Sequence, residues 1–201
     1  MKENLNIPHF FLLVNPESLP LFTTVLQSGI EVMSRKGEMI GHFLSTFEGF
    51  TPDYLADTVQ TIFLNGTAVD DLTISFNTNT PVLALSAAMQ GLAGAIFRKN
   101  SFHAALRTET SQSNNTNASD QPIIVTLKLF NSIAVERGPA LLHRGVQMTG
   151  QSVSTFFAKR ESLFPYIRSS EQNNASILPE DLSKLCGATE TIHLTIRTSH
   201  D

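Results

Sequence analysis

Tryptophan is absent from this 201-residue chain, cysteine occurs once, and only 16% of the residues are charged. A lone Cys186 excludes an intrachain disulfide and a thiolate metal cluster, so no staple of either kind holds the fold. Fourteen Lys and Arg stand against eighteen Asp and Glu, for a net charge of −4. The largest basic groupings are the pairs Arg35-Lys36 and Arg98-Lys99, without stacking aromatics beside them. Binding nucleic acid through counterion release needs a concentrated basic surface, so no nucleic-acid partner is expected. Apolar runs are short as well. The apolar, uncharged segment 82–97 falls below the roughly 20 apolar residues of a spanning helix, and no membrane span is expected. The opening residues lack a signal-peptide pattern, which makes a cytoplasmic location the default.

What the chain does have is apolar bulk and repetition. Hydrophobic residues make up 41%, and fourteen phenylalanines supply the large core side chains. Five short phrases occur twice in one order, and an internal repeat constrains a fold more than any single motif. Residues 11–15 match 127–131, and residues 29–32 match 145–148, with the same fourteen-residue offset from Asn15 to Gly29 and from Asn131 to Gly145. Residues 37–44 then match 150–157, residues 52–55 match 179–182, and residues 61–64 match 191–194. The expectation is an α+β fold of two related ββαβ units from an internal duplication, each a small mixed sheet backed by a helix. Residues 1–107 form the first unit, 122–201 the second, and the polar run 108–121 an exposed linker with too few apolar side chains to repay its ordering.

Local patterns fill in each unit. Residues 10–14 and 123–130 read as buried strands, and 29–34 as a half-buried one. Met39, Ile40, Phe43, Leu44 and Phe47 follow the spacing of an amphipathic helix over residues 38–47. Gly49 suits its end, and Thr51-Pro52 suits the start of the next helix. Residues 151–159 repeat the helix in the second copy. Each thirteen-residue joint between the first two strands is expected to hold a short helix or wide turn.

The phrase Ile62-Phe63-Leu64-Asn65-Gly66-Thr67-Ala68-Val69 resembles the strand–Asn-Gly–strand hairpin of the sulfur carriers in the β-grasp, ubiquitin-like family. The resemblance covers residues 29–94 and implies a β-grasp-like sheet. It does not extend to carrier chemistry, which uses a Gly-Gly tail where this chain ends Arg197-Thr198-Ser199-His200-Asp201.

Chemistry-bearing signatures are few. Six histidines are spread without the i, i+4 pairing of a zinc helix, so no metal site is expected, and Ser86 is not in a Gly-x-Ser-x-Gly elbow. The segment 82–97 has no counterpart in the second copy and reads as an apolar insertion. It is either a helix carrying Ala87, Gly91 and Ala95 as one small-residue stripe, or a strand–loop–strand. In the second form, the backbone around Gly91 and Gly94, with Gln90 and Arg98 beside it, could cradle an anion. The loop matches neither the dinucleotide fingerprint nor the P-loop, and no cofactor is expected.

These features point to a non-catalytic binding or assembly module, with a protein partner or self-association as a homodimer through the apolar insertion. The alternative is an enzyme or small-molecule-binding protein with a site in the cleft between the repeats, drawing on His42, Asp70, His103 and Arg107.

Overall fold

The computed structural model describes residues 7–107 and 121–199. In chain order it holds β1 (His9–Val14), α1 (Leu19–Phe22), β2 (Ile30–Arg35), α2 (Ile40–Ser45), α3 (Pro52–Asp57), β3 (Thr61–Leu64), β4 (Thr67–Ala68), β5 (Val82–Ser86), α4 (Gly91–Phe97) and β6 (Pro122–Phe130). It continues with α5 (Asn131–Arg144), β7 (Val146–Thr149), α6 (Gly150–Ala158), β8 (Ile167–Gln172), β9 (Ala175–Ser176), α7 (Leu182–Gly187) and β10 (Thr191–Thr198). The fold is α+β, with two mixed five-stranded sheets and helices. No helix among the described residues is long and apolar enough to cross a membrane.

Packing divides the chain into two compact units. One joins residues up to 31 with those from 135 onward, and the other is residues 32–134. This division falls elsewhere than the boundary read from composition, because β1 belongs with the C-terminal strands and β6 with residues 32–107. Most of the expected linker, residues 108–120, lies outside the described residues.

The discontinuous unit carries the sheet β7-β10-β1-β8-β9. Its central pair is β1 and β10, parallel from His9↔His193 to Val14↔Thr198. β8 runs antiparallel to β1, β9 antiparallel to β8, and β7 antiparallel to β10. Strand side chains alternate between faces. Phe10, Leu12 and Val14 on β1, with Ile192, Leu194 and Ile196 on β10, therefore share one buried face. Helix α6 adds Val153, Phe156 and Phe157 to the core, and Thr149 caps it by accepting from the Ser152 N–H at 3.3 Å.

The continuous unit carries the sheet β2-β6-β5-β3-β4. Here β5 and β6 are the parallel pair, and β3 runs antiparallel to β5 and to β4. Asn65 and Gly66, at φ +52° and +80°, make the β3–β4 corner that their turn chemistry predicts. Helix α2 buries Ile40, Phe43 and Leu44. It is shorter than the spacing predicted, since Phe47 lies past its last turn. Phe47, Phe43 and Phe76 form edge-to-face contacts at 5.3 and 5.2 Å. Thr51 Oγ1 caps α3 by accepting from the Tyr54 N–H at 3.2 Å, with Pro52 in the first position as read from sequence.

The matched phrases divide when placed on this frame. The second joins β2 with β7 and the third α2 with α6, and both pairs hold corresponding positions. The first joins β1 with β6, and the fifth joins β3 with β10, strands at different positions in the two sheets. Buried strands use the same apolar vocabulary wherever they sit, so likeness of short words does not fix position. The segment 82–97 follows neither expected form: Val82–Ser86 is a strand, but residues from Gly91 are helical. Gly91 at φ +75° breaks the backbone ahead of α4, so Ala87 is outside the helix and no three-residue stripe forms.

Leu12 and Leu13 test which face of β1 is core. Leu12→Ala should destabilise the protein by about 2–5 kcal/mol. Leu13→Ala, on the half-buried face, should cost less than half as much. Urea unfolding of both variants measures the difference, and equal losses would contradict the register.

Candidate functional site

Every residue from Val82 to Leu85 is apolar, which leaves β5 with two apolar faces. Leu83 and Leu85 point into the core. Val82 and Ala84 point to the opposite face, where Phe63 of β3 and Phe130 of β6 join them. Together with Gly66, Leu85, Ser86, Met89 and Asn131 they line a pocket of about 500 Å³ within the continuous unit. One end is polar: the Asn131 amide donates to Ser86 Oγ at 2.8 Å. Asn131 holds φ +54°, a left-handed conformation that non-glycine residues rarely adopt. Opposite Ser86 across the strands, Thr61 is fully buried and its hydroxyl has no hydrogen-bond partner.

Helix α4 stands beside this face. The Phe97 ring is 5.3 Å from that of Phe63. Behind it a set of hydrogen bonds ties residues 98–107 to the unit. Lys99 N–H donates to Gln60 O at 2.7 Å, and Lys99 Nζ to Leu55 O at 2.6 Å. Burial pulls the Lys99 ammonium below its ordinary range, against the opposing influence of Asp57 and Asp70. The Arg98 guanidinium donates to Gln60 Oε1 at 2.8 Å. Arg107 donates to Asp70 at 2.7 Å, to Ile96 O at 2.8 Å and to Arg98 O.

Of the residues singled out in the sequence, Asp70, Arg98 and Arg107 therefore come together, as a structural clasp. His42 is elsewhere, exposed on α2 with Nδ1 2.6 Å from Glu38. Burial pushes the Glu38 carboxyl up, but hydrogen bonds from Ser34 and His42 outweigh it and hold the group below its ordinary value. His103 is exposed against Phe102, 5.6 Å between rings. Gln90 precedes α4 without a side-chain capping bond. Gly91 borders open space, whereas a Cβ on Gly94 would lie 1.9 Å from Met89 O.

Sequence reasoning missed the pocket's walls. The available signal was the unbroken apolar run of β5, which forces one set of side chains onto a second face. It also missed a pairing of histidines in the discontinuous unit. His9 and His193 are direct neighbours on β1 and β10, with ring centroids 5.0 Å apart. Burial, and secondarily His9, lower the His193 pKa. A second depression in that unit, about 440 Å³, is polar, with Ser28, Gln151, Thr155, Lys159 and Arg160 around a Phe156 floor. Among the described residues no group of three or more His, Cys, Asp or Glu is placed to hold a metal.

No family model matches the chain, and neither a curated protein nor a solved structure does.

Two outcomes follow from this geometry. Alanine at position 94 favours the helix by about 1 kcal/mol over glycine, but its Cβ meets a backbone carbonyl that must move. Gly94→Ala should therefore destabilise the protein by about 1–3 kcal/mol in urea, and stabilisation would show that α4 is not held against Met89. Cys186 is buried, and burial pushes its thiol up to about 12. The native protein should resist a thiol-disulfide reagent at pH 8 and release one equivalent only when unfolded. Rapid labelling of the folded chain would contradict its burial.

Proposed function

We propose that the chain is a non-catalytic binding protein whose continuous unit takes a small, largely apolar molecule bearing one neutral hydrogen-bonding group. The pocket carries this reading. Its volume falls in the range of about 300–1,000 Å³ typical of small-molecule sites. Its apolar lining from Phe63, Val82, Ala84, Met89 and Phe130 gives a ligand body contact area. Ser86 and Asn131 give its polar group a place at one end. Neither residue is an acid, a base or an activated nucleophile, so the lining suits retention better than reaction.

The reading includes a fold-level component: both units are β-grasp-like and descend from one duplicated unit. Support comes from the sheet order, edge strand then two parallel central strands then an antiparallel hairpin, which recurs in both sheets. The hairpin corners also correspond, with Asn65-Gly66 in one unit and Asn173-Asn174 in the other, all at positive φ. A cytoplasmic location accompanies the reading as the default from sequence.

Nuclear magnetic resonance titration with small aromatic and aliphatic alcohols tests the binding claim. Amide shifts should saturate at residues 63, 84, 86 and 130. Ala84→Leu fills the pocket and should weaken binding at least tenfold with thermal unfolding unchanged. Shifts absent from these residues, or undiminished in the filled variant, would refute the assignment.

A further inference from the structure

The imidazoles of His9 and His193 lie side by side on the face of their sheet opposite the core, both half-buried. Parallel register places them as direct partners, and the residue two further along β10 on the same face is Thr195. His9 Nε2 is 2.9 Å from Thr195 Oγ1. The His193 ring turns its Cε1–Nε2 edge toward Gly145. A Cβ on Gly145 would lie 2.2 Å from that Cε1, 2.8 Å from Nε2 and 2.8 Å from Thr195 Oγ1. His193 Nε2 and the Thr195 hydroxyl thus lie against Gly145, where any side chain would exclude them, and His9 Nε2 reaches the same hydroxyl.

We propose that His9 and His193, with the Thr195 hydroxyl beside them, form a binding site for a late first-row divalent cation such as Ni²⁺, Cu²⁺ or Zn²⁺. Imidazole is a ligand these ions favour. Two imidazoles sharing one tetrahedral ion through bonds of about 2.0–2.1 Å have ring centroids about 5 Å apart. The observed 5.0 Å matches that spacing without movement of either strand. The ion would displace the His9–Thr195 hydrogen bond, take Nε2 of each histidine, and complete its shell with the Thr195 oxygen and water. Six successive backbone pairs between β1 and β10 fix the two Cα positions, so the pair is pre-organised. Both histidines lie outside the lining of the apolar pocket, and this site stands or falls independently of it.

The full chain is titrated with NiCl₂ and ZnCl₂ at pH 7.5 by calorimetry, with thermal unfolding as a second readout. One saturable site in the micromolar range is expected, with a rise in Tm on adding metal. His9→Ala and His193→Ala should each weaken binding at least tenfold and abolish the Tm rise. His42→Ala and His103→Ala should change neither. His193→Asn, which keeps a polar side chain of similar size, serves if the alanine variant unfolds. Absence of saturable binding by the wild type, or binding that survives loss of either histidine of the pair, would overturn the assignment.

Discussion

Each sheet is organised around two parallel strands at its centre. Parallel neighbours cannot be joined by a tight turn, so their connection must leave the sheet and return. In the continuous unit the chain does this between β5 and β6, and the excursion includes α4 and the clasp of Arg107 on Asp70. In the discontinuous unit the parallel partners are the first and last strands described, β1 and β10. The remainder hangs on these pairs. β8 and β3 add to one side, β7 and β2 flank the other, and the short strands β9 and β4 finish the hairpins.

That arrangement also explains where unused apolar surface accumulates. A central strand has neighbours on both edges and needs apolar residues on its core face only. β5 has them on both faces, and Phe63 and Phe130 extend the second face onto adjoining strands. Partial cover by α4 leaves a concavity in place of a packed layer. β1 is apolar on its second face at Phe11 and Leu13, but there the Arg197 guanidinium lies over the Phe11 ring at 5.9 Å. The same structural position thus supports an apolar recess in one unit and a cationic, imidazole-bearing surface in the other.

Local chemistry was legible and long-range pairing was not. Thr51-Pro52 and Asn65-Gly66 announce their caps and corners because those signals operate over three or four residues. Alternation along β10 identifies its buried face. It says nothing about partners, since any strand with a matching face satisfies it. The Asn173-Asn174 corner carries a weaker form of the same signal, since two asparagines tolerate positive φ much as Asn-Gly does. The histidine pair was invisible for the same reason. His9 and His193 are separated by nearly the whole chain, and only the register of β1 on β10 makes them neighbours. Segment 82–97 misled because Gly91 permits a backbone reversal that propensity scores record merely as a weak helix.

The return of β10 to β1 sets an order for biosynthesis. Residues 32–134 are contiguous, and their sheet can close as soon as β6 has left the ribosome. β1 emerges before any of them, yet neither of its neighbours is available until β8 and then β10 are made. Throughout that interval Phe10, Leu12 and Val14 lack the sheet that finally shelters them. Contacts of such sequence separation form slowly and late. Until then the nascent chain carries one complete unit and, ahead of it, an apolar strand awaiting β8 and β10, the stage at which a holding chaperone has most to act upon.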